Sequence, residues 1–173
     1  MSRALRIIGV ALLAAGALPA QDFQPPHPRP AGKGTDLGLY GFGVRGGAEL
    51  GGSAALVGGI TLDLGNLLSD RLRLRPSAEL GLQSRRSYIA SLEALFRFTG
   101  DGESVIPYLG GGVSLAGHDA CGSDPQCPDL WIDVAFGFEV RFRSTFNWLL
   151  EYRALDLLRR HRVYLGLTTR RGG

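Results

Sequence analysis

Apolar and polar residues alternate with period two over most of the chain, most cleanly in "LWIDVAFGFEVRF", Leu130 to Phe142. Leu, Ile, Val, Phe, Phe, Val and Phe take one face there; Trp, Asp, Ala, Gly, Glu and Arg take the other. Successive side chains of a β-strand point to opposite sides, so the pattern predicts a strand with one face against an apolar medium. From Leu37 onward the same alternation returns in "LGLYGFGVRGG", "ALVGGITLDL", "RLRLRPSAELGLQ", "YIASLEALFRFT", "VIPYLGGGVSLA", "TFNWLLEYRA" and "RVYLGLTTR". Gly, Ser, Asp and Asn punctuate these segments, and none sustains a helical period.

Eight segments of nine to thirteen residues match the smallest closed membrane barrel, whose tilted strands need about 9 to 11 residues to cross. Soluble strands average about half that length. In the third segment Leu72, Leu74, Pro76, Ala78, Leu80 and Leu82 form one face, opposite Arg73, Arg75, Ser77, Glu79, Gly81 and Gln83. In the seventh, Phe146, Trp148, Leu150 and Tyr152 oppose Asn147, Glu151 and Arg153.

Collected by segment, the polar face carries Arg45 and Glu49, then Asp63, then Arg73, Arg75 and Glu79, then Glu93 and Arg97. The sixth segment adds Asp133, Glu139 and Arg141, and the seventh adds Glu151 and Arg153. The signs nearly balance. A narrow barrel is filled by its own side chains, so such a set would pair as ions in the lumen. A solvated outer face would tolerate the same charges, so balance favours the lumen without deciding it. Gly41, Gly43 and Gly47 are expected on the crowded inner face. Pro76 lacks an amide donor, which predicts a bulge or a later strand start there.

The aromatic residues add independent weight. If the first segment starts in the periplasm, Tyr40, Phe42, Phe96, Phe98, Phe142, Phe146 and Trp148 gather at the periplasmic end. That is where an interfacial girdle would lie. Tyr88, Trp131 and Tyr152 would form a thinner belt at the other rim. The longest connection, "GHDACGSDPQCPD", then falls outside, whereas "GNLLSDR" is long for a periplasmic turn.

Residues 1–20 read as a cleaved signal peptide: Arg3 and Arg6 precede the apolar run Ile7 to Leu18, and Ala20 closes it. Residues 21–36 include "PPHPRP" and read as a Pro-rich periplasmic tether. Without the two leader arginines the formal charge falls from +3 to +1. Lys33 is the chain's one lysine, and no basic run suggests a nucleic-acid partner.

Over about Leu37 to Arg170 the chain resembles the small eight-stranded outer-membrane barrels related to the transmembrane domain of outer membrane protein A. "PYLGGGVSL", Pro107 to Leu115, is similar to the Pro-Tyr-x-Gly-x-Gly stretch of those barrels. The chain departs from them at its end, where "TTRRGG" replaces the usual terminal aromatic. The resemblance implies a bacterial outer-membrane location.

"GFGVRG", Gly41 to Gly46, spells a dinucleotide motif, but no helix follows to receive a pyrophosphate. In an exported chain Cys121 and Cys127 are expected to form a disulfide. The alternative is a metal site using both thiolates with His118 and Asp119 or Asp124. His118, Asp119 and Ser114 or Ser123 supply acyl-transfer residue types, which some small outer-membrane barrels use on lipid A.

The expectation is therefore an all-β, eight-stranded antiparallel up-and-down transmembrane barrel over residues 37–171. It would be a monomer surrounded by outer-membrane lipid, with a structural or envelope-interaction role and an ion-paired lumen that is no general pore. No enzyme activity, cofactor or metal is expected. A soluble periplasmic ligand-binding barrel and a lipid A-modifying enzyme are the alternatives.

Overall fold

A computed structural model describes residues 34–50, 55–82, 86–118, 121 and 127–169. The expected leader and most of the tether lie outside the described residues, as do Asp119, Ser123 and Asp124. Eight strands follow in order: β1 (Asp36–Leu50), β2 (Ala55–Asn66), β3 (Leu72–Leu82), β4 (Arg86–Arg97), β5 (Val105–His118), β6 (Asp129–Arg141), β7 (Phe146–Leu155) and β8 (Arg160–Thr169). Each pairs antiparallel with its neighbours, and β1 pairs with β8 from Gly43↔Thr168 to Leu50↔His161. The sheet is a closed barrel and has no free edge to protect.

The faces are inverted relative to a water-soluble protein. Leu56, Leu80, Ile132, Phe136 and Leu165 stand 51 to 69% exposed on the outside, while Glu79, Glu93, Asp133, Glu151, Arg153 and Arg162 are at most 2% exposed inside. Strand alternation does this directly: within "LWIDVAFGFEVRF" Ile132, Val134 and Phe136 point out, and Asp133 and Ala135 point in.

The end of the barrel where β1 begins is called here the near end, and the opposite one the far end. On the near half of the inner wall Leu95, Tyr108, Ala135 and Leu149 pack together. At the far end Ile89, Ala116 and Leu155 form a second apolar cluster. Charged side chains fill the space between. Gly43 and Gly47 stand where a Cβ would collide with Thr61 and with the Val163 carbonyl, and at Gly41 it would strike Thr169.

Four expectations need correction. β3 runs unbroken through Pro76, which pairs with Leu92 of β4. The irregularity lies in the partner: the β2–β3 ladder stops after Thr61↔Ser77, just before Pro76, and resumes at Asn66↔Arg73 with one extra residue in β2. Gly65, at φ +104°, supports that bulge. Tyr40 is half-buried beside Gly65, where the β1–β2 register also shifts, and is less exposed than the other near-end aromatics. "GNLLSDR" is shorter than it reads, because β2 continues to Asn66 and β3 starts at Leu72. Trp131 points inward and packs on the far apolar cluster, under the Arg160 guanidinium at 5.0 Å from its ring centre. The remaining near-end aromatics do face outward, with Phe96 on Phe98 at 5.4 Å and Phe142 on Trp148 at 5.3 Å between ring centres.

Candidate functional site: the buried charge network

Inward positions on β1, β3, β4 and β7 place six ionised side chains in a closed circuit of alternating sign. Arg45 bonds Glu79 at 2.5 Å and also Glu151; Arg75 meets Glu151 at 2.5 Å and Glu93 at 2.8 Å. Arg153 closes the circuit, 2.7 Å from Glu93 and paired with Glu79. Asp133 of β6 also receives Arg153. On β8 Arg162 bridges Glu79 at 2.8 Å and Glu49 at 2.7 Å. Each guanidinium offers five donors in a planar fork, so one arginine can serve carboxylates on several strands.

Neutral groups complete the network. The Tyr108 hydroxyl donates to Glu151 at 2.5 Å, and the Tyr164 hydroxyl donates to Glu79. Ser114 donates to Asp133 at 2.9 Å. Arg45 lies 4.6 Å from the Tyr164 ring centre. A Cβ at Gly59 of β2 would stand 2.9 Å from Glu79 Cγ, so the glycine makes room for the most shared carboxylate. Removing such charges from water costs several kcal/mol per ion, which only dense pairing can offset. The arrangement fills the lumen with groups already committed to one another.

At the near end a smaller set is more open. Arg73 meets Asp63 at 2.8 Å and Asp101 at 2.6 Å. Arg97 also bonds Asp101 and lies 3.9 Å from Glu139, which accepts from Asn147 at 3.0 Å. Arg141 was expected among the lumen ion pairs; it is exposed on the rim and donates to the Gly102 carbonyl. The other twelve expected charges do lie on the inner side, each with a partner of opposite sign.

Sequence reasoning missed Arg162, Tyr108, Tyr164 and Asp101. The first three could have been found: in β8 Arg162, Tyr164, Gly166 and Thr168 share a face opposite Val163, Leu165 and Leu167, and Tyr108 shares parity with Ser114. Asp101 lies in a turn, where no alternation assigns a direction.

Near the far rim Cys121 and Cys127 are joined in a disulfide. The Tyr88 hydroxyl and the His118 amide reach Cys121 Sγ at 3.4 and 3.2 Å. His118 and the two sulfurs lie within 4.8 Å of one another, but a thiolate site would require that bond to be broken. Ser114 lies four residues from His118 along β5, and its hydroxyl contacts Ser91 at 2.8 Å besides Asp133.

No family model matches the chain, and no curated protein matches its sequence. Solved structures do. The N-terminal β-barrel domain of OprF from Pseudomonas aeruginosa is 17% identical with a TM-score of 0.56, over 75% of this chain and 96% of that one. Neisserial surface protein A is 17% identical with a TM-score of 0.57, over 75% and 94%. A de novo designed transmembrane β-barrel is 14% identical with a TM-score of 0.52, over 79% and 98%. At such identities the likeness is one of fold.

Proposed function

We propose that the chain is an integral outer-membrane barrel with a structural or envelope-interaction role and a lumen closed to solutes. The observation that carries this is the inversion of its faces: leucine, valine and phenylalanine cover the outside and ionised groups fill the inside. Water around that exterior would leave a continuous apolar surface exposed, whereas a bilayer matches it. The 11 residues of β3, tilted by about 40°, rise about 28 Å, against an apolar band of about 25 Å. The fold likeness to the β-barrel domain of OprF and to Neisserial surface protein A supports the same reading.

The near end is the periplasmic one in this proposal, since its outward aromatics suit a membrane interface and the disulfide-bearing connection then faces outside. The role is read as non-catalytic because the Ser114 hydroxyl and the lumen carboxylates are engaged with one another. Fractionation of expressing cells tests the location, together with a mobility shift between unboiled and boiled samples. Recovery in the soluble periplasmic fraction would overturn it. Planar bilayers with the refolded protein should show no discrete conductance steps.

A further inference from the structure

Apart from the central circuit, two arginines at the near end converge on a single carboxylate. Arg73 and Arg97 are 9% and 4% exposed; Arg73 Nη2 is 2.6 Å from both oxygens of Asp101, and Arg97 Nη1 bonds its Oδ1. The two sides of this contact are unequal. The arginines belong to β3 and β4 and are set by the barrel wall. Asp101 belongs to the turn that joins β4 to β5, and its side chain is 38% exposed. Gly100 and Gly102 flank it, and a Cβ at either would meet nothing within 4 Å.

Beside the arginines lies a cavity of about 40 Å³ whose lining includes Asp63, Arg73, Arg75, Arg97, Tyr108 and Thr168. Arg73 Nε and Thr168 Oγ1 are buried with no hydrogen-bond partner among the described residues. A buried donor without a partner calls for a guest. The room suffices for a few water-sized groups, hence for the head of a small ligand. Guanidinium forks recognise planar or tetrahedral oxyanions and cannot ligate a cation.

We infer that Arg73 and Arg97 form a binding site for an oxyanion, a carboxylate or phosphate group, and that Asp101 is its resident occupant. An incoming anion displaces the Asp101 carboxylate, and the turn carries that carboxylate into solvent. Arg73 then keeps Asp63 at 2.8 Å, and Arg97 keeps its contact to Glu139 at 3.9 Å. The site itself rests on the barrel geometry. Only its periplasmic exposure rests on the outer-membrane reading.

The test uses the full chain refolded in detergent micelles, with inorganic phosphate and acetate as probes in calorimetric titrations. Asp101→Asn removes the competing charge and should tighten phosphate binding by about tenfold or more. Adding Arg73→Gln should abolish that gain; should the double variant not fold, Arg73→Lys, which keeps the charge and loses the fork, should weaken it. Asp101→Asn with no measurable phosphate or acetate binding, or with binding indifferent to Arg73, would overturn the inference and leave Asp101 a fastener of the turn. Vesicles of phosphatidylcholine and of phosphatidylglycerol separate the sources. Phosphate binding to the variant in both points to a soluble anion; binding suppressed only in phosphatidylglycerol points to a lipid headgroup already in place. If the protein proves soluble, the titrations still score the site, so the two failures remain distinct.

Discussion

Tyr108 and Gly137 face each other across the β5–β6 ladder, and a Cβ at position 137 would stand 2.6 Å from the Tyr108 hydroxyl. The missing side chain gives the ring its place, and from there the hydroxyl reaches Glu151 at 2.5 Å. The Pro-Tyr stretch legible in the sequence thus depends on a glycine one strand away. Gly137→Val should push the ring off and break that bond, costing about 1–3 kcal/mol in a urea titration of the refolded protein. Tyr108→Phe keeps the ring and should cost about 1 kcal/mol. Equal stability of Gly137→Val and the parent would show that the ring does not need this space.

Glu79 and Glu139 separate the closed part of the lumen from its open end. Glu79 serves Arg45, Arg153, Arg162 and Tyr164 at 2% exposure, whereas Glu139 is half-buried with Arg97 at 3.9 Å. Glu79→Leu leaves three guanidiniums short of a partner and should cost about 3–5 kcal/mol. Glu139→Leu should cost about 1 kcal/mol or less. The alternation alone ranks the two residues alike. Similar midpoints for both variants would mean that the charge is not concentrated on Glu79.

Alternation made the strands and their two faces legible, because one buried face forces every second residue to agree. It did not say which guanidinium meets which carboxylate, since those pairs depend on the relative stagger of strands around the closed barrel. Nor did it locate the bulge. Pro76 marked the right height, but the extra residue entered β2 opposite it, where nothing in "TLDLGN" beyond Gly65 signals a break. Arg162 shares its face with Tyr164 and Thr168, so its direction is legible in the alternation of β8 while its partners Glu49 and Glu79 are not. Trp131 shares parity with Asp133 and Ala135, so the alternation points it inward against the preference of tryptophan for an interface.

The Cys121–Cys127 bond closes a seven-residue ring outside the ladder of strands. By loop entropy such a ring contributes about 2 kcal/mol at most, and only to the connection that it closes. Thiol labelling of the denatured, unreduced protein should therefore find no free cysteine. Reduction should expose the 119–128 connection to protease while the barrel keeps its unboiled mobility. Loss of that mobility on reduction would show that the bond holds the barrel itself.

The chain's two tryptophans report the two faces separately. Trp148 stands 48% exposed on the outside near Phe142, whereas Trp131 lies inside against Ile89, Ala116 and Leu155, beneath Arg160. Trp131→Phe isolates the first and Trp148→Phe the second. Each change keeps an aromatic ring, so both variants should fold. In vesicles containing lipid brominated on its acyl chains, the emission of Trp148 should be quenched strongly, because its indole meets the lipid directly. Trp131 should lose much less, since the barrel wall and its own β6 backbone stand between the ring and the bromines. In a soluble barrel neither signal would respond to lipid. Stronger quenching of Trp131 than of Trp148 would mean that the polar face of "LWIDVAFGFEVRF" looks outward, and both the ion-paired lumen and the membrane reading would fall together.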